Sequence, residues 1–212
     1  MTGRLSGSCS ALRPVRYDYG KKKAGNVKRG LAIVLAAAVL QAAPGVYLGL
    51  GGVSTTEYFT VKNPGTASRE DKAMLQAVQV KAGYGDITAY AVELDFGYGY
   101  YDKNIFSVDD SYYIYADLSL IKAFDFDIGV YPFFKLGFGT GELEIRRSTA
   151  DSVSSGNFFG GIGFYWPLAW GFDLEASAVY RAKSWEDLWM VGAVTESSSH
   201  TVEPYVGFNY RF

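Results

Sequence analysis

The sequence predicts an all-β fold, an eight-stranded antiparallel up-and-down transmembrane β-barrel, on three observations. Apolar and polar side chains alternate with a period of two over most of the chain, and the polar connections between those stretches alternate between short and long. Aromatic residues make up 17% of the sequence beside 25 glycines, without an apolar run long enough for a membrane helix. Period-two alternation is what a strand with two unlike faces requires, and aromatic residues favour strands over helices.

The first 45 residues read as a leader and 46–212 as the barrel. Lys21, Lys22, Lys23, Lys28 and Arg29 precede an apolar stretch from Leu31 to Leu40, the layout of a secretory signal peptide. That stretch is shorter than the roughly 20 residues a spanning helix needs. Ala43-Pro44-Gly45 offers small residues for cleavage before Val46, and Cys9, the sole cysteine, lies upstream and leaves with the leader.

Eight alternating segments follow, at about 46–59, 73–84, 87–101, 111–121, 126–145, 157–166, 171–185 and 200–212. In the third, Tyr90, Val92, Leu94, Phe96, Tyr98 and Tyr100 form one row, and Ala89, Ala91, Glu93, Asp95, Gly97 and Gly99 the other. Each segment reaches the ~9–11 residues of a tilted membrane strand. Short turns fall at Gly85-Asp86, 122–125 and 167–170. Long polar connections fall at 60–72, 102–110, 146–156 and 186–199. Short turns at one end and long loops at the other are the habit of outer-membrane barrels, and an even strand number puts both ends of the mature chain on the short-turn side.

Alternation alone does not say whether the greasy row faces lipid or an internal cavity, as in a soluble ligand-binding barrel. The polar row is rich in small residues, among them Gly137, Gly139, Gly161 and Gly163, as a crowded eight-stranded interior demands. Aromatics gather near strand ends: Tyr98, Tyr100, Tyr112, Phe158 and Trp185 at the outer rim, and Tyr84, Phe126, Trp166, Trp170, Phe172 and Tyr210 at the inner one. Two belts of this kind mark the headgroup levels of a bilayer. Lipid therefore faces the greasy row.

The ending Val206-Gly207-Phe208-Asn209-Tyr210-Arg211-Phe212 resembles the C-terminal signal of Gram-negative outer-membrane proteins, with Phe208, Tyr210 and Phe212 as its alternating aromatics. With the leader and strand pattern, the mature chain resembles the small OmpA/OmpX-like outer-membrane barrels. The resemblance implies recognition by the barrel-assembly machinery and residence in the outer membrane. Since no sequence follows Phe212, the C-terminal peptidoglycan-binding domain of longer relatives is not expected.

The inward row carries Lys81, Lys135, Arg181 and Arg211 against Glu93, Asp95, Asp117, Glu175 and Glu203. Charges in a narrow lumen must be paired or hydrated, so a salt-bridged plug is expected rather than an open pore or a proton relay. Counting up from the short turns places Lys81, Glu93, Asp117 and Glu175 in a lower tier and Lys135, Arg181 and Glu203 in an upper one.

Other candidates are weaker. His200, the sole histidine, lies beside Ser197, Ser198 and Ser199, with Glu196 and Glu203 near in sequence. Lipid A-modifying barrels use His and Ser at this level, yet the deacylase pattern wants Ser two residues after the His, where this chain has Val202. A loop histidine is the expected reading, and no enzymatic activity is expected. The glycine runs 137–141 and 160–163 lack the helix and Lys-Ser/Thr of a phosphate loop. Asp109-Asp110 and Glu186-Asp187 have too few ligands for calcium, and Arg146-Arg147 offers a peripheral contact for lipopolysaccharide phosphates. No cofactor or metal is expected.

A formal charge of −2 gives no basic surface for nucleic acid. The expected function is a structural or surface-interaction role, with long outer loops meeting lipopolysaccharide, host surfaces or other cells. A small-solute channel or lipid A-modifying enzyme is the alternative. A closed barrel has no free edge, so a monomer is expected.

Overall fold

A computed structural model of the chain describes residues 45–62, 68–86, 88–106, 110–145, 152–190 and 193–212. The leader, with Cys9, the basic cluster and the apolar run, lies outside these residues, as do Arg146-Arg147 and Asp109. Eight strands follow one another in chain order: β1 (Gly45–Lys62), β2 (Arg69–Gly85), β3 (Tyr90–Tyr101), β4 (Asp110–Ala123), β5 (Tyr131–Ile145), β6 (Ser152–Pro167), β7 (Phe172–Met190) and β8 (Ala193–Arg211). Each pairs antiparallel with its neighbour, and β8 returns to β1 to close the barrel. Among the described residues no helix is long and apolar enough to cross a membrane.

The pairing explains why the two faces stay unmixed. Val46 faces Tyr84, Val80 faces Phe96, Leu118 faces Phe138 and Leu174 faces Phe208, so even-numbered residues oppose even-numbered ones across the ladders, except beyond two β-bulges at the outer ends, between Asp110 and Tyr113 of β4 and between Trp185 and Leu188 of β7. Among the described residues, the buried strand residues consequently carry odd numbers, and the exposed large apolar residues even ones. The greasy row thus forms an unbroken outer band, including Leu50, Val80, Phe96, Leu136, Ile162 and Val206.

The β1–β8 ladder is interrupted between Val53↔Tyr205 and Glu57↔Thr201. Pro204 sits opposite this stretch and has no N–H to give. Side-chain hydroxyls bridge it instead: Thr55 donates to the Val202 carbonyl at 2.7 Å and Thr201 to the Thr56 carbonyl at 3.0 Å. Below, the Phe212 amide donates to the Val46 carbonyl at 3.0 Å, which brings both ends of the barrel together at the short-turn side.

Strand limits depart from the sequence reading in two places. Above the membrane the strands run on: β1 reaches Lys62, β6 starts at Ser152, and β7 and β8 continue to Met190 and from Ala193. Much of the expected long loops, above all 186–199, is therefore strand. With water on the outer face these stretches need no apolar row, so their ladders persist without a period-two signature. At the other end, the strand expected from 126 begins at Tyr131, because Asp127 and Gly129 take positive φ values of 58° and 76°. A pleated strand cannot pass through that region. Phe124 and Phe126 instead stack at 6.0 Å on the connection. The turn before β3 is likewise longer than Gly85-Asp86: Asp86 accepts from the Thr88 amide and hydroxyl, both at 2.7 Å, and β3 starts at Tyr90.

Candidate functional site: the polar lumen

Close packing across the narrow interior shapes the site. A Cβ on Gly83 would fall inside the Tyr47 ring, and one on Gly139 against the Asp117 carboxylate. These glycines are the space into which the facing side chains fit, as the crowding argument requires. The glycine runs 137–141 and 160–163 lie within β5 and β6 and are not loops.

Three charge clusters occupy the lumen. In the one nearest the short turns, Lys81 Nζ lies 2.8 Å from Glu175 and 3.4 Å from Glu93, while Lys135 pairs with Glu93 and, at 2.8 Å, with Asp95. Tyr47 donates to Glu93 at 2.8 Å, Asn209 donates to Glu175 at 3.0 Å, and the Lys81 ammonium sits 3.8 Å from the Tyr205 ring centre. The second cluster centres on Arg181, which pairs with Asp117 at 2.8 Å and Glu203 at 2.9 Å and donates to Asn157 at 2.7 Å. Its guanidinium lies 4.6 Å from the Phe159 ring centre. Of the nine charges singled out from sequence, all but Arg211 thus fall into two sets, and the tiers are corrected. Lys135 belongs with the lower set and Asp117 with the upper. Strands in a barrel are tilted and staggered, so residues equally far from their turns do not share a level.

The third cluster escaped sequence reading. Glu57, fully buried, accepts from Lys183 at 2.7 Å, from the Tyr101 hydroxyl at 2.7 Å and from Ser199. Trp185 donates its indole N–H to the same Ser199 at 2.8 Å. Odd numbering within β1 and β7 is the signal that could have placed Glu57 and Lys183 inside. The same parity corrects Trp185: it is 3% exposed and points into the barrel instead of joining the outer belt. Trp185 packs with Phe59, Tyr113 and Phe106, whose ring drops from the β3–β4 connection to within 5.2 Å of the indole. Together they form an apolar cap above Glu57–Lys183. At the opposite end Tyr47, Ile121, Phe133 and Tyr165 form a second apolar layer, with Arg211 and Asp173 paired at 2.5 Å. Between the first two clusters remains a cavity of about 10 Å³, lined by Gln79, Asp95, Arg181 and Tyr205 among others. That is space for about one water.

His200 does not join its serine neighbours. It lies within β8, not in a loop, opposite Tyr58 and Ala182, and stacks outward on the Tyr58 ring at 5.6 Å. Ser199 and Glu203 point inward from the same strand. The wall therefore separates the histidine from Ser197, Ser199 and Glu203, while Ser198 and Glu196 share its outer face, and the ring takes a place in the outer aromatic belt with Tyr58 and Tyr180. Among the described residues no group of three or more His, Cys, Asp or Glu could hold a metal.

A closed β-wall, apolar outside and charged within, defines a transmembrane barrel, since only closed sheets and helices satisfy every backbone group in lipid. No family model and no curated protein matches the sequence. Among solved structures the chain is similar to neisserial surface protein A, with 15% identity over 79% of this chain and 97% of that one and a TM-score of 0.51. It is similar also to the outer membrane protein OprG of Pseudomonas aeruginosa, with 16% identity over 81% and 96% of the two chains and a TM-score of 0.53. The fold is that of the small eight-stranded outer-membrane barrels, the OmpA/OmpX-like architecture.

Proposed function

We propose that the protein is an outer-membrane scaffold with a sealed lumen, exported through a cleaved leader and acting through the strand extensions and connections it raises above the membrane. The observation that carries this reading is the filling of the interior by three ion-pair clusters between two apolar layers, the cavity between the first two clusters holding about one water. Fully buried charges held in this way act as packing, since each has a partner of opposite sign at hydrogen-bond distance. The raised hairpins are a rigid platform for contact with lipopolysaccharide, host surfaces or other cells. The C-terminal aromatics Phe208, Tyr210 and Phe212 serve recognition by the barrel-assembly machinery, and the closed wall suits a monomer.

No catalytic role is assigned: the His200 ring stacks on Tyr58 on the outer face, and the wall parts it from Ser199 and Glu203. The test is electrical. Purified protein reconstituted in a planar bilayer should show no steady single-channel conductance above the bare membrane. Well-resolved, long-lived openings of the unaltered protein would refute the sealed lumen and favour a solute channel.

A further inference from the structure

The charges around the small cavity in the lumen do not balance. Among the described residues, the two clusters that enclose it hold five carboxylates, Glu93, Asp95, Asp117, Glu175 and Glu203, against three cations, Lys81, Lys135 and Arg181. All eight are buried. The Glu57–Lys183 pair of the third cluster is neutral and lends no compensating charge. A buried carboxylate in excess of its counter-ions carries a desolvation cost that no protein group offsets.

Two oxygens of the residues that line the cavity also lack partners. Asp95 gives Oδ2 to Lys135 at 2.8 Å, while its Oδ1 meets no donor among the described residues. The Tyr205 hydroxyl is likewise without a hydrogen-bond partner. Asp95 and Tyr205 are only 1% and 3% exposed, so bulk water does not serve them. Both line the cavity of about 10 Å³, with Gln79 and Ser177 beside them. Buried polar atoms are almost always paired, so two orphans on one enclosed space point to a tenant. Glu203 lines it too, but both of its oxygens accept from Arg181 at 2.9 Å.

Charge decides which tenant fits. A water would satisfy the orphan oxygens and leave the excess charge in place, and an anion would add to that excess. Calcium and magnesium want about six oxygens or more. Here Asp95 Oδ1 is the uncommitted carboxylate oxygen, and Lys81, Lys135 and Arg181 line the same space. We propose that the cavity between the first two clusters holds one dehydrated monovalent cation, sodium or potassium, with Asp95 Oδ1 as its charged ligand and Tyr205 and Gln79 supplying neutral oxygens. Either ion fills about the space of one water. The ion is enclosed as the barrel closes and becomes part of the plug, so its retention rests on the sealed-lumen reading.

The test folds the whole barrel into lipid vesicles in sodium, potassium or N-methylglucamine chloride at one ionic strength, the last cation being too large to enter. Stability is read by urea unfolding, with heat-modifiable gel mobility as the check on folding. Past saturation, a tenfold rise in the bound ion should raise the folding equilibrium constant about tenfold, with N-methylglucamine making up the ionic strength. Asp95→Asn should abolish this response. Tyr205→Phe, which keeps the ring beside Lys81, should weaken it. Barrels folded in radioactive sodium or rubidium, the latter standing for potassium, and passed quickly into N-methylglucamine buffer should keep an ion apiece. The salt with the larger response names the occupant. Equal stability in all three salts overturns the proposal, as does a response that both variants leave unchanged. Stability that depends on the ion without its retention upholds the site and strikes the sealed lumen instead.

Discussion

Arg181→Met tests the lumen most directly, because it removes the cation that holds the two buried carboxylates Asp117 and Glu203. Arg181 lies within 2.8–2.9 Å of Asp117 and Glu203, and all three side chains are buried. At an effective dielectric of about 20, each such contact represents roughly 5 kcal/mol of gross attraction, most of which offsets lost hydration. Stranding a buried partner typically costs about 3–5 kcal/mol. Methionine keeps an unbranched stem of similar length and removes the guanidinium, with its place over the Phe159 ring, so the loss is chiefly electrostatic. The single variant should lose about 3–5 kcal/mol in urea unfolding from lipid vesicles, read by tryptophan fluorescence and gel mobility together. Adding Asp117→Asn and Glu203→Gln should restore most of it, because the neutral set no longer strands charge. A loss under about 1 kcal/mol, the worth of an exposed pair, would refute the reasoning. So would a triple variant no more stable than the single.

Three further outcomes follow from the geometry. Val80→Arg, in the middle of the greasy band, should cost about 2–4 kcal/mol in a bilayer, and Tyr84→Arg near the rim about 0–1. Equal effects at the two depths in vesicle unfolding would contradict a lipid-facing wall. Gly83→Ala drives a methyl into the Tyr47 ring and should cost about 1–3 kcal/mol by overpacking, with the folded gel fraction as the readout. Phe106→Ala should open the apolar cap and admit water toward Glu57 and Lys183. Faster hydrogen exchange at the Trp185 indole is the expected sign, and unchanged exchange would show that the cap does not depend on this ring.

The two faces of the wall were legible because a strand turns its side chains through a half-circle per residue, a rule that no tertiary contact overrides. Glu93, Glu175 and Arg181 could thus be placed inside from their neighbours alone. The partners of these charges were not legible. Lys135 meets Glu93 across the lumen because of the tilt and stagger of separate strands, which leave no local trace. Trp185 misled by its chemistry: an aromatic near a strand end suits the interfacial belt, but its odd position directs it inward. His200 was hidden by the polar serines around it, which resemble a loop although they continue a ladder in water. Phe106 lay outside any periodic segment, and only the cap it completes explains its burial.

The even–even pairing of neighbouring strands through the membrane has a consequence for how such a chain can vary. A hairpin lengthened by one residue would invert the next strand, presenting its carboxylates to lipid and its aromatics to the lumen. Insertions and deletions in these connections should therefore survive in twos, or singly where a bulge absorbs the odd residue, as the β7–β8 ladder does beside Glu196. Related chains should differ in hairpin length by even steps, a ratchet imposed on their divergence by the pleat itself.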